Sequence, residues 1–188
     1  MYQLAKPAKE PVSEKDIFAD RRLSTEDEFN LIRRLISAAR EECENITRRI
    51  IAPRQFEFVL DAFAGDIALV PPVVSVQSVK YYNASDVLTT VDASLYRLVG
   101  ASGLNPRIVG VGDWPTTARN FPESVVITAT LGYVDGTCPD AIKSWIISRV
   151  GTMFEFREHL NAGGAVAELP YINALLDPYI IAGSYARG

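Results

Sequence analysis

The stretch FNLIRRLISAAREECENITRRIIAPRQFEFVLDAF, residues 29–63, changes its period in the middle. In its first part Phe29, Ile32, Ile36, Ala39, Cys43, Ile46 and Ile50 recur at alternating steps of three and four. That spacing lays them along one face of a helix, as a heptad-like seam of about three repeats. Leu31, Leu35 and Ala38 widen the face in its N-terminal half. Pro53 cannot continue a helix and is expected to end it. Beyond it Phe56, Phe58, Leu60 and Ala62 alternate with Gln55, Glu57 and Asp61, the period of a strand with one wet face. The chain therefore passes from a long amphipathic helix directly into β-structure.

Working towards the N-terminus, Ser24 and Thr25 followed by Asp27 and Glu28 open this helix, which is expected over 26–49. The carboxylates in its first turn suit the positive end of the helix dipole. Ser13 with Asp16 three residues later makes the same kind of signal and predicts a short helix over 14–20. Residues 1–12, with Pro7 and Pro11 and little periodicity, read as an extended arm.

Towards the C-terminus, short strands are expected over 67–70, 73–82, 95–99 and 107–109, separated by turn formers such as Gly65, Asp66, Gly100, Gly103, Asn105 and Pro106. The strongest strand pattern is 125–133, where Val125, Ile127, Ala129, Leu131 and Tyr133 face one way and Val126, Thr128 and Thr130 the other. Thr137, Pro139 and Asp140 then start a second long helix, expected to reach Leu160, with Ile142, Ile146, Val150, Met153, Phe156 and Leu160 as its core stripe and Trp145 beside it. A linker carrying Gly163 and Gly164 and a short last helix over 169–176 follow. The expected architecture is α+β: a small helical bundle, with two N-terminal and two C-terminal helices, and a β-strand-rich insertion between them. All of it forms one domain, 1–188, made of an arm (1–12), a helical core (13–52 and 138–177), the insertion (54–134) and a tail (178–188).

Composition sets the bounds. The 188 residues are 48% hydrophobic and 22% charged, a globular composition able to bury one sizeable core and a small second one. Nineteen Lys and Arg against 23 Asp and Glu give a net charge of −4. The first fifty residues are neutral, with ten of each sign, so the acidity lies beyond them. The pairs Arg21–Arg22, Arg33–Arg34 and Arg48–Arg49 are diluted by Glu26, Asp27, Glu41 and Glu44, and read as solvated helix faces rather than a phosphate-binding patch. No run approaches the ~18 apolar residues of a membrane span, and the first residues lack the apolar core of a signal peptide.

Catalytic constellations are not evident. His159 is the one histidine, near a helix C-terminus where a cation complements the dipole. Cys43 lies on the apolar stripe and reads as a buried, reduced thiol, and Cys138 is too far along the chain to form a metal-ligand spacing with it. Gly110-Val111-Gly112 lacks the rest of a dinucleotide fingerprint. Asp61, Asp66, Asp86, Asp92, Asp113 and Asp135 are scattered through turns. No catalytic residue, cofactor or metal is expected. What is left over is apolar surface, on the long helix and on an aromatic tail after the glycine linker. The candidate interface residues are Phe29, Ile32, Ile36, Arg40, Tyr179, Ile180 and Tyr185.

The order of short pieces also carries a resemblance. It includes Pro11-Val12-Ser13, Thr25-Glu26-Asp27-Glu28, Phe58-Val59-Leu60-Asp61-Ala62-Phe63, Pro72-Val73-Val74-Ser75-Val76-Gln77-Ser78-Val79, Val126-Ile127-Thr128-Ala129-Thr130-Leu131-Gly132-Tyr133, Cys138-Pro139-Asp140-Ala141-Ile142-Lys143, Phe154-Glu155-Phe156-Arg157-Glu158 and Ala174-Leu175-Leu176-Asp177-Pro178-Tyr179. Over about residues 11–180 the set resembles the head–tail connector (adaptor) proteins of tailed bacteriophages, often labelled DNA-packaging proteins. The resemblance implies a structural subunit, not an enzyme, that forms a ring of identical copies. It implies binding to the portal protein once DNA is packaged, completion of the head, and docking of a tail-side connector or head-closure protein. DNA would pass through without sequence readout, and no membrane is involved. The expected location is the virion neck, reached from the host bacterial cytoplasm or a prophage's host. Two alternatives remain open at this level: a small hydrolase or packaging accessory using His159, and a DNA-binding module led by the arginine pairs.

Overall fold

A computed structural model describes residues 1–21, 29–63, 65–118, 122–156 and 174–181. These fall into two compact units, one from residues 9–51 and 135–181, the other from 1–8 and 52–134.

The first unit is helical. Helix α1 (Glu14–Arg21) begins at the expected capping box: the Ser13 backbone N–H and hydroxyl both donate to Asp16 Oδ2, at 2.7 and 2.8 Å. Helix α2 (Phe29–Thr47) buries Ile32, Ile36, Ala39 and Cys43, the seam read from the sequence. The cap expected at 24–28 lies outside the described residues. Termination differs from expectation. Arg48, not Pro53, ends the helix by taking φ +56°, the left-handed position usually given to glycine. The freed Thr47 carbonyl accepts from the Ile181 N–H at 3.1 Å, so the segment after the last helical turn satisfies an orphan acceptor of α2. Helix α3 (Asp140–Phe156) buries Ile142, Trp145, Ile146 and Val150. The rest of its expected length, to Leu160, lies outside the described residues. All three helices pack on one another.

The second unit holds two antiparallel sheets. Eight strands contribute: β1 (Tyr2–Gln3), β2 (Arg54–Leu60), β3 (Ile67–Ala68), β4 (Val73–Tyr82), β5 (Leu88–Thr90), β6 (Tyr96–Val99), β7 (Arg107–Gly110) and β8 (Val125–Leu131). The larger sheet runs β1-β2-β8-β4-β5 and the smaller β3-β7-β6. β8 is central, paired with β2 from Arg54↔Leu131 to Leu60↔Val125, and with β4 on its other side. Val125, Ile127, Ala129 and Leu131 are fully buried, while Val126, Thr128 and Thr130 are half-exposed. Each such buried Ile, Leu or Val is worth roughly 1.5–3 kcal/mol of burial. Gly132 closes β8 at φ +121°, and a Cβ there would sit 2.7 Å from the backbone of Pro53, so the corner requires glycine.

This architecture corrects the expected one. Among the described residues there are three α-helices and eight strands in two sheets, not a four-helix bundle with a β-rich insertion. The strands are no excursion from a helical body, because they enclose their own apolar core of Phe56, Val79, Val125, Ile127 and Ile108. The helix expected over 169–176 falls mostly outside the described residues; residues 174–176 form a turn and Asp177–Tyr179 a 3-10 turn. The arm expected over 1–12 is also not wholly unpaired. Tyr2 and Gln3 lie opposite Glu57 and Phe56, and the Leu4 N–H donates to the Gln55 carbonyl at 3.0 Å.

Candidate assembly interface

The candidate residues on α2 occupy different environments. Ile32 and Ile36 are buried inside the helical unit. Phe29 is half-buried against Phe18, with ring centroids 4.7 Å apart. Arg40 is buried and fully engaged: Nε donates to Glu10 Oε2 at 2.8 Å, Nη1 to Glu44 Oε2 at 2.9 Å and Nη2 to Glu41 Oε1 at 3.2 Å. Burial alone would pull the guanidinium down, but the carboxylates of Glu44, Glu10 and Glu41 more than offset it, so Arg40 stays charged. Glu44 Oε1 also accepts from the Ile51 N–H at 2.8 Å, and Ser37 Oγ donates to Glu10 Oε1 at 2.8 Å. The cluster thus ties residue 10 of the arm and the segment after α2 to one turn of that helix.

At the C-terminal side, the Tyr179 carbonyl accepts from Arg49 Nε at 2.7 Å, and its side chain is half-buried. Ile180 is 41% exposed. Tyr185 lies outside the described residues. The tail up to Ile181 is therefore docked along the end of α2, with Ile180 facing outward.

The arginine pairs are mostly engaged. Arg33 Nε donates to Glu14 Oε1 at 2.8 Å, and Arg49 is buried, where the sequence predicted a solvated face. Arg22 lies outside the described residues, as does His159. The Cys43 thiol is pushed up to about 12, first by burial and then by the nearby Cys138 and Glu44, and burial pushes Cys138 up to about 11. Both are protonated and unreactive at neutral pH. The turn aspartates are used locally. Asp92 caps a 3-10 turn by accepting from the Ser94 N–H at 2.8 Å, Asp66 pairs with Arg107 at 2.8 Å, Asp61 accepts from the Glu123 N–H at 2.9 Å, and Asp135 pairs with Lys9 at 2.7 Å. Among the described residues no cluster of three or more His, Cys, Asp or Glu is disposed to hold a metal.

The sequence reading passed over an aromatic cluster in the sheet unit. Phe63 stacks face to face on Trp114, with centroids 4.5 Å apart and planes 1° from parallel, and Tyr81 leans on Phe63 at 5.8 Å. Trp114 Nε1 donates to the Gly65 carbonyl at 3.0 Å, and a Cβ at Gly110 would lie 3.0 Å from the indole. The absent side chain at 110 leaves room for the indole at the end of β7, where it stacks on Phe63 beyond β2. The available signal was Gly110, directly after the strand expected over 107–109 and four residues before Trp114.

Solved structures share this fold. A chain from the neck of an empty gene transfer agent (GTA) particle, computed with C6 symmetry, superposes with a TM-score of 0.80 at 21% identity, over 98% of this chain and 96% of that one. A chain from the virion of a native GTA particle gives 0.76 at 22% identity, over 98% and 96%. A chain from the neck of a native GTA particle, computed with C12 symmetry, gives 0.71 at 22% identity, over 96% and 97%. No family model matches the chain, and no curated protein sequence does. The likeness to neck connectors read from the sequence is thus borne out in the fold.

Proposed function

We propose that this chain is a structural subunit of the neck of a phage or phage-like particle, a head–tail connector that works by assembling into a ring. The observation that carries the reading is the end-to-end fold likeness to GTA neck chains, over 98% of this chain at a TM-score of 0.80. Its ring binds the portal after packaging, completes the head and offers a surface to a tail-side connector or head-closure protein. DNA passes through unread, and a net charge of −4 suits a wall that does not grip a polyanion. Residues 1–188 act as one connector domain without catalysis or cofactor, made in the cytoplasm of the host and retained in the virion. The exposed side chains among the candidates, Ile180 and part of Phe29, remain available to partners, while Ile32, Ile36 and Arg40 hold the helical unit together.

Removing the chain from a particle-producing strain tests this reading. Heads without attached tails are the expected product. Normal numbers of tailed, infective or transducing particles would overturn it.

A further inference from the structure

Asp135 is the one Asp or Asn in the sequence that is followed by glycine. Such a pair rearranges without an enzyme. The amide nitrogen of Gly136 attacks the side-chain carboxyl carbon of Asp135, an N–C bond forms, and water leaves with the displaced oxygen. The product is a five-membered succinimide. Water then opens the ring at either carbonyl. One opening restores aspartate, and the other gives isoaspartate, in which the main chain runs through the β-carbon. Nothing is oxidised or reduced, and water is the only co-reactant. We infer that Asp135–Gly136 is the site at which the folded chain isomerises. This chemistry is independent of ring formation.

The turn between β8 and α3 meets each requirement of ring closure. Asp135 and Gly136 are both exposed, the Asp135 side chain at 73%. The Gly136 N–H has no acceptor among the described residues, so the attacking nitrogen is not tied into a ladder or a cap. A Cβ built on Gly136 would meet nothing within 4 Å, so the forming ring has open space around it. Gly136 also takes φ +80° and has no side chain to crowd the attack. Among the described residues the Asp135 carboxylate meets only Lys9, at 2.7 Å. Both partners of that pair lie in solvent, so it is a weak restraint.

Other sites each fail one of these requirements. Asp61 and Asp92 hold their carboxylates on the N–H groups of Glu123 and Ser94. Asn83 Oδ1 accepts from the Ser85 and Val87 N–H groups. The Ile17 N–H after Asp16 donates to the Ser13 carbonyl. Asp86 and Asp113 precede Val87 and Trp114, whose side chains crowd the nitrogen, and Asp177 precedes Pro178, which has no N–H. Isomerisation at 135 adds one backbone carbon at the point where the chain leaves the sheet unit. It also moves the free carboxylate onto the α-carbon, a shorter arm, so the contact with Lys9 is lost.

The test incubates the purified full chain for weeks at neutral pH and physiological temperature, beside a free peptide carrying Val134-Asp135-Gly136-Thr137. Both are mapped by chromatography after digestion with a protease that cuts before aspartate and not before isoaspartate. The expected result is isoaspartate at 135, preceded by a succinimide form one water lighter. Its rate in the folded chain should lie within about tenfold of the peptide's, because an exposed turn needs little opening. Asp135→Glu, which would have to close a six-membered ring, should give neither product, with an unchanged thermal melt. A residue 135 that keeps its α-linkage in the folded chain while the peptide rearranges would overturn the inference. So would a folded-chain rate below the expected range, or isoaspartate appearing first at another Asp or Asn.

Discussion

Strand β8 and helix α2 each lie at the heart of one unit, and they are held in place by different physics. β8 buries only apolar side chains on its inner face, Val125, Ile127, Ala129 and Leu131, and leaves Thr128 and Thr130 on the other. α2 buries Ile32, Ile36 and Cys43 but also Arg40 and Glu44, with Arg40 reaching Glu10 at 2.8 Å. A core of the first kind is non-directional and tolerates changes of shape at modest cost. One of the second kind fixes partners and geometry, and loses much if its one cation is removed, because Glu44, only 9% exposed, and Glu10 then lose the charge they share.

The largest expected effect breaks the ionic side of this contrast. Arg40→Ala should cost about 3–5 kcal/mol in denaturant unfolding, since Glu44 and Glu10 lose their shared cation. Replacing Glu10 and Glu44 by Gln in the same chain should recover a large part of it. A loss below 1 kcal/mol for Arg40→Ala would mean the cluster is not the organising feature of α2.

Alkaline pH is the next lever. The thiols of Cys43 and Cys138 have folded values of about 12 and about 11, above an ordinary 9.0, so folding favours their protonated forms. Their contribution is fully present below pH 9 and is lost as pH rises towards 11 to 12. Stability should therefore fall across that window, and a Cys43→Ala/Cys138→Ala chain should fall less steeply. In the native protein at pH 8 neither thiol should react with an aromatic disulfide reagent, whereas both should react in denaturant.

Ile127→Val removes one methylene from the apolar core of β8 and should cost about 0.5–1.5 kcal/mol. The smallest effect belongs to the opposite face of the same strand, where Thr128→Ala should stay within about 0.5 kcal/mol. A reversal of this order would show that the outward face of the sheet, not the inner one, carries the packing.

The regular parts of both elements were legible in the sequence because burial there follows period alone. Alternation at 125–131 and three–four spacing at 32–43 each mark one apolar face, and Ser13 with Asp16 marks a helix start. Other features depend on partners distant in sequence. β1 exists because Tyr2 and Gln3 find Glu57 and Phe56, and β5 because Leu88–Thr90 folds back on Tyr82–Lys80 after the Asn83 turn. Neither stretch has enough alternation to announce a strand. The four-helix bundle expected from the sequence fails for the same reason: apolar helix faces reveal that something covers them, not how many helices do. Arg40 reads from the sequence as an interface residue, and its burial becomes visible only when Glu10 is brought to it. The four-residue step from Arg40 to Glu44, beside the apolar stripe, was the available hint. In the tail Ile180 is 41% exposed, while Tyr179 docks on Arg49.

The central claim is that this chain acts by closing a ring. Native mass spectrometry of the purified full chain across a concentration series, with and without the portal of its particle, tests it most directly. A closed oligomer of one stoichiometry, formed at high concentration or on the portal, is the predicted result. A chain that stays monomeric at every concentration in both conditions would contradict it.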